Sequence, residues 1–374
     1  MRGHITQRGK DKNTYSVVVE FPKDKITGKR TRKWFTIKGD KKSAERFLTE
    51  KLSELDNGVY DNVKEMYLND FLEYWYKEHC LKKLAVSTYE GYKRYIDKYI
   101  IPYFGKIKMN NIKPLNVQSF YSYCSEKGLN GTSITQIHRI LHSAFKQAVK
   151  WQIISKNVID NVEPPKKEKF IALVLNKEQV KQLLEVAKST DCYIPTYIAI
   201  ATGMRRGEIL ALTWNDINFE KRTITVSKTL SPTKNGLIVT KPKTLKSNRM
   251  ISVPPTLIEC LIEHKNKQDY IKNLLKESYV DNNLVICTNN GNYFSPTKLN
   301  HGFQRLLKNN NLPPVRFHDL RHTHASLLIS QDVHPKLISE RLGHSTIGIT
   351  MNLYSHVYDA DNEELANNFD KFLK

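Results

Sequence analysis

A proline-containing, charged break near the middle of the chain separates two parts of different character. The segment NVEPPKKEKF, residues 161–170, interrupts a region of helical hydrophobic spacing with two adjacent prolines and a run of charges. This composition is typical of an interdomain linker. At 374 residues, the chain is longer than single hydrophobic cores usually are, which also favours several domains. We therefore expect a boundary at residues 163–170.

The first 60 residues combine strand patterns with one helix. The stretches TYSVVVEF and RKWFTI are rich in β-branched and aromatic residues and flank a Thr27-Gly28 turn signal, which predicts a hairpin. A helix is expected from the N-cap candidate Ser43 to Gly58. It would close a module at residues 1–60.

Residues 61–163 show the spacing of amphipathic helices, with apolar residues three and four apart. Caps are predicted at Ser87 and Thr132. Basic residues on the other helix faces, among them Lys93, Arg94 and Arg139, are candidates for contact with a DNA backbone. The predicted core stripes are Tyr89, Tyr92, Tyr95, Ile96, Tyr99 and Ile100 in one helix, and Ile134, Ile137, Leu141, Ala144 and Ala148 in another.

The part after the break mixes both element types. An amphipathic stripe follows Asn176, and the stretches RTITVSKTL and RMISVP are expected to be antiparallel strands. Helices are expected again from Lys298 onwards. These patterns predict a mixed α and β region over residues 170–374.

Charge points to a polyanionic partner. The chain has 59 Lys and Arg against 38 Asp and Glu, a formal net charge of +21. Nucleic acid is the first candidate, because phosphate neutralisation by basic residues supplies most non-specific affinity. A solvated basic surface is the alternative. Residues 1–60 alone hold 15 basic and 8 acidic residues, and a small basic sheet fits a DNA major groove.

Cysteine usage and hydropathy indicate the cellular compartment of the protein. Its five cysteines are scattered, which favours neither a disulfide framework nor a metal knuckle. The start has no apolar secretion signal, and no apolar run reaches about 18 residues. We expect a cytoplasmic protein without a membrane partner.

The stretch ATGMRRGEILALTW contains the first candidate for chemistry. Gly203 can end one helix and reverse the backbone, so that Arg205 begins the next near its positive end, where an anion is favoured. Glu208, three residues later, is placed to hold the Arg205 guanidinium. Arg and Glu three residues apart are also common on surface helices, so the pattern by itself does not identify a site.

The stretch HDLRHTHAS allows two functional interpretations, beside the plain alternative of structural histidines with satisfied hydrogen bonds. His318 and His322 are four residues apart, a helical spacing for Zn²⁺, with His324 or His344 as a third ligand. Arg321 argues against a metal, because it places a fixed positive charge beside the dication. No cofactor and no metal are therefore expected.

The second interpretation is a phosphate site. His318, Arg321, Arg205 and His344 would converge on one phosphate, where two guanidinium groups neutralise the transition state without a metal. Tyr354 is the best-placed side chain for covalent attack. Tyr358, one turn further on, is the competing tyrosine.

Four stretches together, ATGMRRGE, KSNRMISVP, HDLRHTHAS and LGHSTIGITMNLYSH, resemble the tyrosine recombinases, also called the phage integrase family. Residues 61–163 look like the helical core-binding domain of that family. Residues 1–60 resemble the three-stranded arm-binding domain of integrases from Gram-positive phages and conjugative transposons. The resemblance implies a multidomain α+β fold: a small three-stranded sheet with a helix, a helical core-binding domain, and a mainly α catalytic domain at 170–374 with a small antiparallel sheet.

The resemblance also implies residue roles. Arg205 and Arg321 match the arginines that clamp the scissile phosphate, and Glu208 matches the acidic residue three beyond the first. His318 acts in proton transfer or phosphate binding, and Lys246, with Lys243 as the alternative, protonates the leaving 5′ oxygen. The remaining expected site residues are His344 on a non-bridging oxygen, Tyr354 as the nucleophile, and Lys29, Arg30, Arg32, Lys33, Lys93, Arg94 and Arg139 on DNA.

The activity implied is site-specific recombination through a 3′-phosphotyrosine, which integrates and excises a phage or conjugative element. Expected partners are double-stranded DNA with arm and core sites, four copies of the chain on DNA, an excisionase and a host DNA-bending protein. The C-terminal stripe of Leu365, Phe369 and Phe372 would dock on a neighbouring subunit or pack on its own domain. Alternatives are a type IB topoisomerase-like strand transferase, a metal nuclease and a non-catalytic DNA-binding protein.

Overall fold

The chain divides into two compact units, Met1–Lys169 and Phe170–Lys374. The division lies in the segment where the sequence has its adjacent prolines. The predicted multidomain α+β class is confirmed. This computed structural model describes residues 3–8, 13–20, 32–56, 66–166, 173–240 and 248–343, with the single positions 348 and 351.

A three-stranded antiparallel sheet opens the first unit, in the order β1-β2-β3. Its elements are β1 (Gly3–Gln7), β2 (Thr14–Glu20), β3 (Arg32–Lys38) and the helix α1 (Lys41–Asp56). Val17 and Val19 of β2 pack with Ala44 of α1 in a small core of their own. The cap of α1 is Asp40, whose carboxylate accepts the Ser43 N–H at 2.9 Å. The predicted Ser43 cap is therefore wrong by three residues.

The rest of the first unit is helical. Its elements are α2 (Leu68–Trp75), α3 (Leu81–Lys83), α4 (Val86–Tyr95), α5 (Ile101–Phe104), α6 (Pro114–Glu126) and α7 (Gly131–Lys150). Five-residue π-helical turns, Tyr76–Cys80 and Ile96–Ile100, join α2 to α3 and α4 to α5. The stripe predicted on α7 is confirmed, because all five of its residues are buried in one core with Ile96 and Ile100.

Two helix starts in this region differ from the prediction. The N-cap of α7 is Asn130, whose side chain accepts the Ser133 N–H at 2.9 Å, so Thr132 lies in the first turn. Helix α4 follows Ala85 without a side-chain cap, and Ser87 lies inside it. Several polar residues stand near each start, and spacing alone does not select the one that caps.

The second unit surrounds helix α9. Its elements are α8 (Lys177–Ala187), α9 (Tyr193–Thr202), α10 (Arg206–Leu210), β4 (Ile217–Asn218), β5 (Thr223–Val226), β6 (Thr229–Thr233), β7 (Gly236–Thr240), β8 (Arg249–Ser252), α11 (Pro255–Leu275), α12 (Pro296–Asn309), α13 (Asp319–Ile329) and α14 (Pro335–Leu342). The strand pairs are antiparallel as predicted, in the sheet β4-β5-β8 and the hairpin β6-β7. Asn176 caps α8 through Gln179 N–H at 2.8 Å, directly before the predicted amphipathic stripe.

The turn after α9 is held from several sides. Seven of the ten residues of α9 are buried, so its C-terminal end lies inside the unit. The helix ends at Gly203, whose φ of +67° is left-handed, a conformation that glycine adopts without steric cost. A Cβ there would stand 2.7 Å from Cδ2 of His324 and would also meet Leu342. Side chains from α13 and α14 therefore fix the position of this turn.

We expect Gly203→Ala to destabilise the second unit by about 3 kcal/mol, because it adds a left-handed penalty to an overpacked contact. Thermal unfolding followed by circular dichroism should show a midpoint roughly 6–12 °C lower. Gly91→Ala is the matched control, since nothing lies within 4 Å of its added Cβ and alanine favours helix. Equal midpoints for the two variants would contradict the packing described.

Candidate active site

Arg205 is positioned by the turn that follows Gly203. It is the N-cap residue of α10, and its N–H donates to Oε2 of Glu208 at 2.9 Å. Its Nη1 donates to Oε1 of the same carboxylate at 2.8 Å. The sequence predicted this pairing. Because α10 has only five residues, the guanidinium charge and not the helix dipole makes the position attractive to an anion.

Arg321 lies on α13 and reaches the same turn. Its side chain is buried, and its Nη1 donates to the Gly203 carbonyl oxygen at 2.7 Å. Its Nη2 is buried and has no hydrogen-bond partner within the described part of the chain. Burial, followed by the charge of Arg205, lowers the pKa of Arg321 to about 9. The two arginines predicted to clamp one phosphate are thus brought together by folding.

A third arginine, Arg249, completes the cluster and was not identified from the sequence. Its Nη2 donates to Oε2 of Glu208 at 2.9 Å, and both side chains are almost wholly buried. Burial alone would raise the pKa of Glu208, but the hydrogen bond and charge of Arg249, with those of Arg205, hold that pKa below its ordinary value. The signal that could have found Arg249 is its position at the start of the strand RMISVP.

The cluster carries an excess of positive charge. Arg205 and Arg249 pair with the one carboxylate of Glu208, and Arg321 lies within range of their charges, so the formal charge of the four side chains is +2. A buried uncompensated charge is unfavourable unless a counter-charge approaches. A DNA phosphodiester brings one negative charge and two non-bridging oxygens, which suit guanidinium donors. The arrangement therefore matches one backbone phosphate.

His318 stands at the N-cap position of α13, beside this cluster. Its ring lies perpendicular to that of His322, with 5.7 Å between the centroids. Burial, His322 and Arg321 lower its pKa to about 4, so the imidazole is neutral at pH 7. The residue is nevertheless exposed to solvent, which screens these charges and weakens their effect. Together with Arg205 it lines a cavity of about 540 Å³. A cavity of about 560 Å³ around Cys260 and Cys287 lies apart from these residues.

His324 has a structural environment. Its Nδ1 faces the Ile200 carbonyl oxygen at 2.7 Å, and its Nε2 accepts a hydrogen bond from Nε of Arg341 at 3.1 Å. Both ring nitrogens are thus occupied, and one faces a cation, which does not suit the zinc ligand considered above. Among the described residues, no three His, Cys, Asp or Glu side chains are grouped so that they could hold a metal ion.

Several predicted residues lie outside the described ranges: Lys29, Arg30, Lys243, Lys246, His344, Tyr354, Tyr358, Leu365, Phe369 and Phe372. One contact nevertheless reaches the neighbour of His344. Nη2 of Arg205 donates to the Gly343 carbonyl oxygen at 3.2 Å. Gly343, the last described residue before His344, is thereby attached to the arginine cluster.

Three of the predicted DNA-contacting residues in the first unit have protein partners. Lys93 pairs with Asp97 at 2.8 Å, and the Arg94 guanidinium stands 5.5 Å from the Tyr95 ring centroid. Arg32 pairs with Glu20 at 2.8 Å.

Over the described residues, no helix is both long and apolar enough to span a bilayer.

Comparison with known proteins agrees with this site. Residues 174–361 match the model of the phage integrase family, and residues 67–125 match that of the phage integrase N-terminal SAM-like domain. The tyrosine recombinase XerC-like protein of Caldanaerobacter subterraneus is 30% identical over 366 residues, which cover 92% of this chain and 93% of the relative. The ICEBs1 integrase of Bacillus subtilis is 28% identical over 376 residues, which cover 96% and 97%.

A solved structure supports the same fold. The Tn1549 transposon integrase in complex with transposon right end DNA aligns with a TM-score of 0.69 and 23% identity, over 81% of this chain and 99% of that chain. Fold and sequence together define a DNA strand transferase of the tyrosine type. The chain belongs to the phage integrase family and is a site-specific DNA recombinase. The family predicted from the four motifs is confirmed.

The buried His324 makes stability depend on pH. Burial, then the charge of Arg341, lowers its pKa to about 4, against about 6.5 for an exposed histidine. Between these values the unfolded chain binds a proton that the folded chain does not. Stability therefore falls as the pH falls through this window, by on the order of 2–3 kcal/mol.

The matched variant is His324→Gln, which keeps one donor and one acceptor but does not titrate. Urea unfolding at pH 7, 5.5 and 4.5 should show a smaller acid loss in the variant than in the wild type. Parallel pH profiles for the two proteins would mean that His324 does not carry the effect.

Proposed function

We propose that this recombinase integrates and excises a mobile element by cutting and rejoining DNA at attachment sites, with Tyr354 as its nucleophile. The observation that carries the proposal is the cluster of charge +2, in which the buried Arg321 bonds the turn at Gly203 and the partly exposed Arg205 follows that turn. Two guanidiniums on one turn suit the two non-bridging oxygens of one phosphodiester. The closest chemical class is transfer of a DNA phosphoryl group to a protein hydroxyl.

The reaction proceeds by exchange of one phosphodiester for another. The phenolic oxygen of Tyr354 attacks phosphorus, and the bond to the 5′ oxygen breaks, which leaves a 3′-phosphotyrosine and a 5′-hydroxyl. Lys246, or Lys243 as the alternative, donates the proton to the 5′ oxygen. Attack by the 5′-hydroxyl of a second strand then restores a phosphodiester and frees the tyrosine, so the bond energy is retained.

The two histidines have separate parts in this scheme. His344 donates a hydrogen bond to a non-bridging oxygen. His318 is neutral in the chain alone, and the negative phosphate of bound DNA would raise its pKa again, because an opposite charge favours the protonated form. It can therefore bind the phosphate and accept the phenolic proton within one cycle.

The nucleophile is tested with a nicked attachment-site substrate that traps the covalent complex. The wild type should form an adduct that resists denaturant and is destroyed by protease, and Tyr354→Phe should form none. Tyr358→Phe is the matched control and should retain the adduct. An adduct with Tyr354→Phe would disprove the assignment. Joining of two separate sites by the wild type distinguishes recombination from topoisomerase-like relaxation.

We propose three domains for DNA recognition: residues 1–60 on arm sites, 61–163 on the core site, and 170–374 for catalysis. In residues 61–163, Lys93, Arg94 and Arg139 would contact backbone phosphates. In residues 170–374, Arg205 and Arg321 would contact the scissile phosphate. Exchange between two duplexes cuts four strands, which calls for four copies of the chain on DNA. An excisionase and a host DNA-bending protein would set the direction.

Strand alternation supports one face of the N-terminal sheet as the proposed DNA-contacting surface. Phe35 and Ile37 of β3 pack on the side of α1, so Arg32 and Trp34 lie on the other face and Lys33 does not. Trp34 is 66% exposed, which is unusual for a tryptophan without a partner surface. A sheet face of this kind fits a major groove.

We expect Trp34→Ala to weaken binding to arm-site DNA about 10-fold, the loss of one good base contact, and to leave core-site affinity unchanged. Lys33→Ala, one residue away on the opposite face, is the matched control and should lose less. Fluorescence anisotropy with labelled arm and core duplexes measures both affinities. A larger loss for Lys33→Ala would assign the opposite face to DNA.

A further inference from the structure

Arg249 occupies a junction between three parts of the catalytic unit. It is the first residue of β8, directly after the stretch that carries Lys243 and Lys246. Its side chain is 7% exposed although it is charged. A buried arginine is tolerated only when its donors are satisfied. The partners of those donors therefore indicate what the residue does.

The first partner is the carboxylate of Glu208. Nη2 of Arg249 donates to Oε2 at 2.9 Å, and Nη1 approaches Oε1 at 3.4 Å. These are the two oxygens that also accept the N–H and Nη1 of Arg205. Arg249 therefore limits where the carboxylate can lie, and the carboxylate in turn limits the guanidinium of Arg205.

The second partner is a backbone carbonyl. Nε of Arg249 donates to the Arg341 carbonyl oxygen at 2.8 Å, in the last turn of α14. Two residues later, the Gly343 carbonyl oxygen accepts from Nη2 of Arg205. The end of α14 is thus held by two arginines of the cluster, immediately before the segment that carries His344 and Tyr354.

The sharing of the Glu208 carboxylate by Arg205 and Arg249 determines how much positive charge Arg205 keeps for a phosphate. While two arginines divide one carboxylate, Arg205 is only partly neutralised and keeps attraction for a phosphate. Without Arg249 the formal charge of the cluster falls from +2 to +1, and Glu208 has Arg205 as its one remaining cationic partner among the contacts described. A buried carboxylate with one partner holds that partner more tightly, which draws Arg205 away from DNA.

We propose that Arg249 is a positioning residue for the phosphate clamp. Acting through Glu208 it keeps Arg205 oriented and charged for the scissile phosphate, and through the Arg341 carbonyl it holds the end of α14 beside the clamp. Its described donors all face protein acceptors, so it is not assigned a contact with the reacting atoms. The inference rests on the proposed function, because it assumes that Arg205 binds this phosphate.

The test measures single-turnover formation of the covalent adduct on the nicked substrate. Arg249→Gln should form it about 100-fold more slowly, the scale of a small misplacement in an active site, while its affinity for core-site DNA changes less than about threefold because most phosphate contacts lie elsewhere. Arg305→Gln is the matched control, an exposed arginine on α12, and should cleave at the wild-type rate. Arg249→Gln cleaving within threefold of wild type would overturn the proposal.

A double-variant cycle separates positioning from a general structural role. If Arg249 acts through Glu208, then Arg249→Gln with Glu208→Gln should lose no more activity than the worse single variant. Losses that multiply would overturn the proposal. Should Arg249→Gln fail to fold, as judged by its thermal midpoint, the same cycle is run with Arg249→Lys, which keeps the charge but not the fork of donors.

A sulfur-substituted substrate distinguishes the clamp from the lysine. With sulfur in place of the 5′ bridging oxygen, the leaving thiolate needs no proton. Lys246→Ala should therefore regain its rate of adduct formation on this substrate, whereas Arg249→Gln should remain slow. Equal recovery would mean that Arg249 acts on proton transfer, which overturns the proposal. Failure of the Arg249 proposal can be distinguished from failure of the proposed function. An adduct retained by Tyr354→Phe would contradict the assigned nucleophile and would not bear on Arg249.

Discussion

The buried carboxylate of Glu208 is the interaction on which the catalytic unit depends. It is 4% exposed and accepts hydrogen bonds from Arg205 and Arg249, which come from different parts of the unit. A carboxylate in such surroundings is stable only as the centre of charged partners. The strand β8, the short helix α10 and the turn after Gly203 are thereby fixed relative to one another.

A second set of contacts uses the ends of helices. The last carbonyl groups of an α-helix have no partner within the helix, and cations are favoured there. The end of α9 receives His324, Arg321 and Arg341, and the end of α14 receives Arg205 and Arg249. The arginines of the site thus serve two purposes at once. They complete two helix ends, and they collect positive charge where the backbones of α9 and α14 end.

Local sequence patterns were sufficient for part of this structure. The left-handed Gly203 and the Arg205–Glu208 pair follow from residues within one turn, and the buried stripe of α7 follows from its spacing. The pairing of Arg249 with Glu208 spans 41 positions, and no periodicity connects two such residues. Helix caps at Ser43 and Thr132 were misplaced for a related reason, because several nearby polar side chains compete and packing decides between them.

Strand β1 shows the same limit. Its five residues form a strand only because β2 supplies their hydrogen-bond partners, so the residues alone predicted a hairpin, and the third strand came from the family resemblance. The roles of Lys246, His344 and Tyr354 remain predictions, since those residues lie outside the described ranges.

The small core of the N-terminal sheet has a consequence for how such enzymes diversify. Val17, Val19 and Ala44 are its fully buried centre, and they belong to a cluster separate from those of the helical region and the catalytic unit. Substitutions on the outer strand face therefore do not disturb the packing around the arginines. On the proposed function, the DNA sequence that this module binds can change over generations while the chemistry of strand exchange is preserved.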